Sequence, residues 1–296
     1  MPELPEVETM CRCVGPIVGS RIVDLRRPKS RFQPIKITPR LADFRRRVVG
    51  RDIVAVRRLG KRVVVELSGE GPDKATSDHG DLMVFEPRMS GLVLLADPPD
   101  VDHLRLVVDL QGGRFPQLLF WDKRGLGVVW LLSPGLFRRR FGPEKLGPDA
   151  LEIPADLLRQ RLAASGRAIK VALLDQGVLA GIGNLYASEI LHRSRIHPGL
   201  SCRDLTPNQW DRLHAVMGEV LLEAIAHQGS TLRDGTYRIA RNQPGNYQLC
   251  HRVYQRTGQP CLQCATGRIV RIVQAQRSTF FCPACQPAAP PGLDTR

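Results

Sequence analysis

The second residue of the chain could act as a nucleophile. Pro2 follows the initiator methionine, and removal of that methionine would expose a secondary α-amine. An α-amino group has a pKa of roughly 7.7–8.0, so a useful fraction is neutral near pH 7. A neutral secondary amine can attack a sugar C1′ and form an iminium ion, with Glu3 as a proton shuttle and Glu6 about one helical turn further on. Many chains that begin Met-Pro make no such use of the proline, so these residues alone leave its role open.

Near the other end of the chain, four of the eight cysteines form two C-x-x-C pairs separated by 17 residues. This spacing is typical of a zinc site, in which each pair supplies two thiolate ligands of a tetrahedron. Free thiols or a redox motif are the alternative. The alternating residues between the pairs predict a β-hairpin held closed by one structural Zn²⁺, so metal binding and folding would be coupled. The four predicted ligands are Cys261, Cys264, Cys282 and Cys285.

A glycine-rich turn connects two expected helices, Leu173–Val178 and Leu185–Leu191. Gly181 and Gly183 permit a tight turn, and Asn184 is a candidate helix N-cap. A helix N-terminus beside small residues can bind a phosphate, although a plain helix–helix turn would have the same sequence. Lys170 could reach the same anion or be an ordinary solvated lysine. Because the turn does not follow a strand, the pattern does not favour a dinucleotide-binding fold.

The overall charge favours a polyanionic partner. Lys and Arg number 43 against 29 Asp and Glu, a formal net charge of +14. Nucleic acid is the usual partner for such an excess, and a basic surface kept for solubility is the alternative. We find no amphipathic basic helix and no apolar window of about 18 residues, so no membrane partner is expected. The acidic start of the chain does not resemble a signal peptide, which predicts a cytoplasmic protein.

The elements that must position these residues change in type along the chain. A helix is expected at Pro5–Val14, then short Val- and Leu-rich strands that predict a β-sandwich or barrel. The Pro- and Gly-rich segment 133–154 predicts a linker. Beyond it, a capping box at Thr206–Gln209 starts a helix that ends before Gly229. The expected strands are Ile53–Val56, Arg62–Leu67, Leu82–Phe85, Gly91–Ala96, Leu104–Leu110, Leu118–Trp121 and Gly127–Leu132.

Three segments together resemble the formamidopyrimidine-DNA glycosylase family. They are MPELPEVET at the start, GIGNLYASE at Gly181–Glu189, and the cysteine pairs, so the resemblance runs from Met1 to Gln286. It implies an α+β fold in which DNA lies in the cleft between domains. It further implies a bacterial enzyme that acts as a monomer. The implied partner is double-stranded DNA with damaged bases or abasic sites, and the enzyme would associate with the nucleoid through this DNA. The implied domains are a catalytic β-sandwich (1–132), the linker (133–154), a helix–two-turns–helix domain (155–250), a zinc finger (251–286) and a disordered tail (287–296).

The same resemblance implies roles for individual residues. Pro2 would displace an oxidised purine and form an iminium ion with the sugar, with Glu3 as proton donor and relay and Glu6 as a supporting carboxylate. Lys61 matches the family's proton-donating lysine on a β-hairpin. Arg277 would be both a catalytic and a DNA-binding residue, and β,δ-elimination would follow base release. The implied DNA-binding residues are His103, Arg124, Lys170, Asn184, Tyr254 and Arg277.

The chain departs from the family pattern at two segments. The family's HLGMSG is EPRMSG at Glu86–Gly91, so a glutamate replaces a phosphate-binding histidine while the gap-filling Met89 remains. The family's DPRRFG is DKRGLG at Asp122–Gly127. Here Arg124 can still pair with the orphaned base, but Leu126 replaces a phenylalanine wedge and offers less stacking area.

Two other functions are compatible with these features. The first is an endonuclease VIII-like glycosylase for oxidised pyrimidines, a sister group that shares the N-terminal proline and the zinc finger. Leu4 favours the purine enzyme, because the endonuclease VIII-like group usually has glycine at this position. A non-catalytic zinc-finger DNA-binding protein is the second alternative. The presence of Pro2, Glu3 and Lys61 argues against it, because a lapsed active site has no reason to keep all three.

Overall fold

A computed structural model describes residues 2–69, 80–232, 235, 237–239, 243–264 and 266–288. Its contacts divide the chain into two compact units. The first comprises Met1–Lys145 and Ala224–Gln248, and the second comprises Leu146–Glu223 and Leu249–Arg296. The division therefore falls inside the predicted linker, and it groups residues 224–248 with the first unit instead of with the expected helical domain.

The first unit contains two β-sheets. The four-stranded sheet has the order β1-β7-β8-β6, the five-stranded sheet has the order β2-β9-β5-β4-β3, and every neighbouring pair is antiparallel except β2 and β9. The elements of residues 1–145 are α1 (Leu4–Val14), β1 (Arg21–Arg26), β2 (Lys36–Thr38), α2 (Leu41–Val48), β3 (Ile53–Leu59), β4 (Arg62–Leu67), β5 (Leu82–Glu86), β6 (Gly91–Leu94), β7 (Leu104–Gln111), β8 (Gln117–Asp122), β9 (Val128–Leu132) and α3 (Pro134–Phe141).

Side chains that point alternately to the two faces of each strand build the core of this unit. In β5, Met83 and Phe85 are fully buried in a cluster that takes side chains from both sheets. Val84, which lies between them, faces the other way and packs in a second cluster with Phe141 of α3. Because successive side chains of a strand point to opposite faces, both faces of the five-stranded sheet are covered. The predicted β-sandwich and the α+β fold class are confirmed.

The second unit contains helices and a β-hairpin. Helix α7 begins with the predicted capping box, in which the Thr206 and Gln209 side chains bond each other's backbone N–H groups at 3.3 and 2.8 Å. Its apolar face, including Trp210 and Met217, is buried as the spacing predicted. The elements are α4 (Ala155–Leu162), α5 (Ile169–Leu173), α6 (Asn184–Arg193), α7 (Pro207–Ala226, whose last residues belong to the first unit), β10 (Val270–Gln274) and β11 (Arg277–Phe281).

The structure corrects two sequence predictions. The predicted linker contains α3, whose start at Pro134 is favourable because proline suits the first turn of a helix. The predicted helix Leu173–Val178 was wrong, since α5 ends at Leu173 and residues 175–178 form a turn.

Two remaining predictions concern the ends of the chain and membranes. Within the described residues, no helix has both the length and the apolar character needed to cross a membrane. Most of the predicted disordered tail, 289–296, lies outside the described residues.

Candidate active site and nucleic-acid interface

The residues from Pro2 to Glu6 are buried, and the Glu6 carboxylate holds the backbone of Glu3. Pro2 is buried, and Glu3 and Glu6 are 4% and 3% exposed. Oε2 of Glu6 accepts the Glu3 backbone N–H at 2.9 Å, which closes a capping box at the start of α1. Oε1 of Glu6 accepts the Ser230 backbone N–H at 2.8 Å. Both oxygens therefore orient backbone, and the residue after Pro2 is fixed in place.

Two residues that the sequence did not assign to the site, Gly229 and Tyr237, lie close to Glu6. Gly229 has φ +76°, and a Cβ built there would lie 2.8 Å from Cγ and Oε1 of Glu6, so a side chain would collide with it. The hydroxyl of Tyr237 donates to the Gln228 carbonyl at 2.9 Å. Burial, with the nearby Glu6, raises the pKa of Tyr237 well above its usual value, so the phenol stays protonated. Gly229 was visible in the sequence only as a helix stop.

Lys61 lies at the tip of the two-residue turn that joins β3 and β4. Leu59 pairs with Arg62 across the turn, and Gly60 adopts φ +56° to close it. Helix α1 packs against both strands, and Arg58 of β3 pairs with Glu8 of α1 at 3.0 Å. The hairpin that carries Lys61 is thus anchored to the helix that begins just after Pro2 and Glu3.

The predicted gap-filling residues are on loops of the same unit. Met89 and Leu126 are 36% and 44% exposed, so both side chains are accessible from solvent. Arg124 is also exposed. Glu86, which replaces the family's histidine, pairs with Arg62 at 2.9 Å and with Arg88 at 3.6 Å, so its charge is compensated.

His103 is packed more tightly than a free surface histidine. Its ring stacks on Phe32 at 4.4 Å between centroids and meets Trp121 edge-on. Its Nδ1 lies 2.8 Å from the Asp100 carboxylate. These contacts fix the ring, and its role in DNA binding stays a prediction.

In the second unit, Lys170 is buried and not the solvated lysine that the sequence allowed. It is 1% exposed, and its ammonium donates to Asn184 Oδ1 at 2.7 Å, Thr279 Oγ1 at 2.6 Å and the Ser278 carbonyl at 3.2 Å. Three donors thus meet three protein acceptors. This arrangement argues against the predicted contact between Lys170 and DNA and favours a positioning role.

Asn184 is the first residue of α6, not its N-cap. The N-cap is Gly183, whose backbone is extended (φ −125°, ψ −163°). Oδ1 of Asn184 accepts from Lys170, and its Nδ2 donates to the Ser278 carbonyl at 2.9 Å. The start of α6 is therefore bonded to β11 next to Arg277, an exposed residue that follows the turn of the β10–β11 hairpin. The structure brings these three predicted residues into one region of the second unit.

Glu189 of α6 is a further buried carboxylate that sequence reasoning did not identify. It is fully buried and accepts the backbone N–H groups of Arg252, Val253 and Tyr254 at 2.8–3.0 Å. Burial raises the pKa of Glu189, and the three amide donors oppose that shift. These bonds fix the backbone of Tyr254, whose ring packs edge-on against Phe280 at 5.1 Å.

The four cysteines predicted from the sequence come together. Their Sγ atoms all lie within 4.8 Å of one another, and Cys261–Cys285 and Cys264–Cys282 are separated by 3.7 and 3.8 Å. Zn–S bonds of about 2.3 Å in a tetrahedron require S···S distances of about 3.8 Å, so this donor set fits Zn²⁺. The Gly267 N–H points to Cys264 Sγ at 3.3 Å and, as the largest cause, lowers the pKa of Cys264 to about 6. The predicted structural zinc site is confirmed.

His192 of α6 adds a contact to this metal site. Its Nε2 lies 3.3 Å from Cys261 Sγ, and its Nδ1 has no hydrogen-bond partner within the described residues. The tautomer with the proton on Nε2 leaves no buried N–H unpaired and donates to the thiolate. Nothing in the sequence pattern marks this histidine as part of the metal site.

The folds and sites define a DNA-binding enzyme that combines a β-sandwich, a helix–two-turns–helix domain and a zinc finger. Residues 1–129 match the formamidopyrimidine-DNA glycosylase N-terminal domain, 136–236 its H2TH domain, and 258–288 the zinc finger found in FPG and IleRS. The chain belongs to the formamidopyrimidine-DNA glycosylase family, and it is a DNA glycosylase of DNA repair.

Individual relatives agree over nearly the whole chain. The formamidopyrimidine-DNA glycosylase of Chloroflexus aggregans is 44% identical over 97% of this chain and 98% of its own length. A solved structure of MutM in complex with carbocyclic 8-oxo-G containing DNA matches with a TM-score of 0.81 and 31% identity, over 97% of this chain and all of that one. The Lactococcus lactis Fpg in complex with abasic-site DNA matches with a TM-score of 0.81 and 30% identity, with the same coverage.

Proposed function

We propose that this chain excises oxidised purines, such as 8-oxoguanine and formamidopyrimidines, from duplex DNA and then cuts the strand as an AP lyase. The observation that carries the proposal is the start of the chain, where Pro2 precedes a glutamate whose backbone is held by the buried Glu6. The DNA ligands of the similar MutM and Lactococcus lactis structures support the substrate class. The proposed form is a monomer on double-stranded DNA.

The proposed reaction begins when the free amine of Pro2 attacks C1′ of the damaged nucleotide. The C1′–N bond to the base breaks, the base leaves with a proton, and opening of the sugar ring gives an iminium ion on Pro2. Glu3 carries protons to and from the sugar, and Lys61 donates a proton. Loss of the C2′ proton then breaks the bond to the 3′ phosphate, and a second elimination, assisted by Arg277, breaks the bond to the 5′ phosphate.

The damaged nucleotide must leave the base stack before Pro2 can reach C1′. In this proposal, Met89 and Leu126 occupy the vacated space and Arg124 pairs with the orphaned base. All three are exposed on loops of the unit that carries Pro2. Leu126 offers less stacking area than a phenyl ring, so the duplex is held open with less apolar contact than in relatives that keep the phenylalanine.

Borohydride trapping tests the covalent step. Protein whose N-terminus begins at Pro2, confirmed by mass spectrometry, should form a stable adduct with abasic-site DNA. The matched control is the same chain with an uncleaved N-terminal extension, in which the nitrogen of Pro2 is part of a peptide bond, and it should give no adduct. An equal yield from both proteins, or none from either, would contradict the proposed nucleophile.

A lesion panel tests the substrate class. Matched duplexes carrying 8-oxoguanine or 5-hydroxyuracil are compared on denaturing gels with and without alkali, which separates base release from strand cleavage. Faster release of 8-oxoguanine is expected. Preference for 5-hydroxyuracil would assign the chain to the pyrimidine-specific alternative, and binding without either reaction would leave a DNA-binding protein.

A further inference from the structure

Two loops cross from one sheet to the other at adjacent positions in the first unit. Loop A (87–90) joins β5 to β6, and loop B (123–127) joins β8 to β9. Glu86 at the start of loop A pairs with Val128 at the end of loop B. At the other end, Gly91 pairs with Asp122. Because both flanks are paired, the two loops run side by side.

A single buried carboxylate connects these loops. Asp122 is fully buried, and its Oδ1 accepts from the hydroxyl of Ser90 in loop A at 2.6 Å. Its Oδ2 accepts the backbone N–H of Gly127 in loop B at 2.7 Å. The Ser90 hydroxyl in turn accepts the backbone N–H of Arg124 at 2.9 Å. Ser90 of loop A is therefore bonded directly to loop B at Arg124 and, through the Asp122 carboxylate, to the end of loop B at Gly127.

The surroundings leave this network little freedom. Arg105, 3% exposed, donates its Nε–H to the Asp122 carbonyl at 2.8 Å. A Cβ on Gly127 would lie 2.7 Å from the Phe120 ring and 3.0 Å from Oδ2 of Asp122. Loop B is thus pressed against the carboxylate, and it cannot move away without breaking bonds to a buried charge, which is costly.

We propose that Asp122 and Ser90 are positioning residues that make loops A and B one rigid wedge, so that Met89 and Arg124 enter the opened duplex as a unit. This inference rests on the proposed function, which assigns Met89 and Arg124 to the space left by the flipped nucleotide. Asp122 and Ser90 are both 0% exposed and act through their neighbours. Ser90 is the separable member, because Arg124 N–H keeps a 3.3 Å contact with Asp122 Oδ1 without it.

A double-mutant cycle measured in two backgrounds tests the coupling. Met89→Ala, Arg124→Ala and the double variant are compared for single-turnover excision in the wild-type chain and in Ser90→Ala. If the loops act as a unit, then in the background that keeps Ser90 the double variant loses less excision rate than the two single variants predict. Its fold loss should be at least threefold smaller than the product of the two single fold losses. In Ser90→Ala the losses should multiply to within about 1.5-fold. Equal coupling in both backgrounds would overturn the proposal.

Ser20→Ala is the matched control for the serine substitution. Ser20 is a buried serine of the same unit whose hydroxyl has no partner within the described residues. It should leave both the excision rate and the coupling as in the wild-type chain. Loss of coupling in Ser20→Ala would show that any buried cavity has this effect and would count against Ser90. Thermal melts verify that each variant is folded.

A readout without chemistry separates this inference from the proposed function. The same cycle is scored by the fluorescence of 2-aminopurine placed opposite a tetrahydrofuran abasic analogue, which reports insertion of the wedge on binding. If no adduct is trapped by borohydride but the fluorescence cycle still shows coupling between Met89 and Arg124, Pro2 is not the nucleophile and the wedge proposal stands. If an adduct is trapped but the fluorescence cycle shows no coupling between Met89 and Arg124 in the wild-type background, Pro2 remains the proposed nucleophile and the wedge proposal is refuted.

Discussion

The ammonium of Lys170 lies 2.6 Å from the hydroxyl oxygen of Thr279, although 109 positions separate the two residues. This bond joins α5 to the β-hairpin of the zinc finger within the second unit. Since Asn184 completes the same network, the start of α6 and the finger share one buried cation. The hairpin that presents Arg277 is therefore positioned by the helices as well as by the metal.

Lys170→Met should destabilise the protein by about 3 kcal/mol, because it leaves the Asn184 carbonyl oxygen and the Thr279 hydroxyl without their buried partner, at about 1–3 kcal/mol for each group. Chemical unfolding curves measure the change. Lys29→Met removes an exposed ammonium and should be nearly neutral. An equally small effect at Lys170 would contradict the role assigned to it.

Cys282→Ala should abolish zinc binding and, with it, tight binding to DNA. Three thiolates cannot complete the tetrahedron, and a hairpin this small depends on the metal to fold. Zinc content by atomic emission and DNA affinity by anisotropy are the measurements. Cys13→Ala, outside the cluster, should retain one zinc ion. DNA affinity within about threefold of the wild type in Cys282→Ala would refute the structural role of the metal.

His192→Phe should weaken zinc retention while leaving the four ligands in place. The substitution keeps an aromatic ring in the buried site but removes the Nε2–H that points to Cys261. Loss of such an outer contact typically costs about 10–100-fold in metal affinity. Zinc transfer to a chromogenic chelator at pH 7.5 gives the rate. Unchanged transfer kinetics would show that the imidazole is only packing.

Arg277→Ala should weaken binding to DNA of any sequence and reduce the salt dependence of binding by about one unit in the log–log slope, as expected for one lost phosphate contact. Titrations at several salt concentrations give the slope. Arg21 is the control, because two bonds to Asp52 already compensate its charge. If Arg277→Ala leaves the slope unchanged, the residue does not contact phosphate.

Acidification should destabilise the protein in part through His251. Burial lowers the pKa of His251 to about 4 from about 6.5, so the unfolded state takes up a proton first as the pH falls. The contribution of the neutral ring to the free energy of unfolding is fully present above pH 6.5 and is lost progressively as the pH falls to 4. At pH 5 the loss amounts to about 2 kcal/mol. His251→Gln should lose correspondingly less stability between pH 7 and pH 5. His227→Gln, at an exposed position, should behave as the wild type.

The sequence was sufficient where local pattern determines structure. The Val- and Leu-rich strands were located because alternation and flanking Gly, Pro or Asp residues mark them. β1, β2 and α2 were not expected. Their segment, Arg21–Val48, is rich in arginine, and only a few apolar residues such as Ile22 and Phe44 reach the core. The short helix α3 was obscured by the proline and glycine that begin it.

Long-range contacts explain what the sequence could not provide for the site. Pro2, Glu3 and the cysteines were identified from motifs, and the cysteines do form a cluster. The buried roles of Lys170 and Glu189 depend on partners about 60–110 positions away, which no local pattern records. The bonds of the Asn184 side chain to Lys170 and Ser278 were likewise beyond a local pattern, which offered only a capping role one residue away from the actual N-cap, Gly183.

The bond between Glu6 and the Ser230 amide, with Gly229 pressed against the same carboxylate, has a consequence for biosynthesis. The first residues to leave the ribosome acquire their complete support only after more than three quarters of the chain has been translated. A fragment that stops at Lys145 contains every strand of the sandwich and still lacks the segment that secures its own beginning. The segment that follows Pro2 is therefore among the last parts of the first unit to be finished.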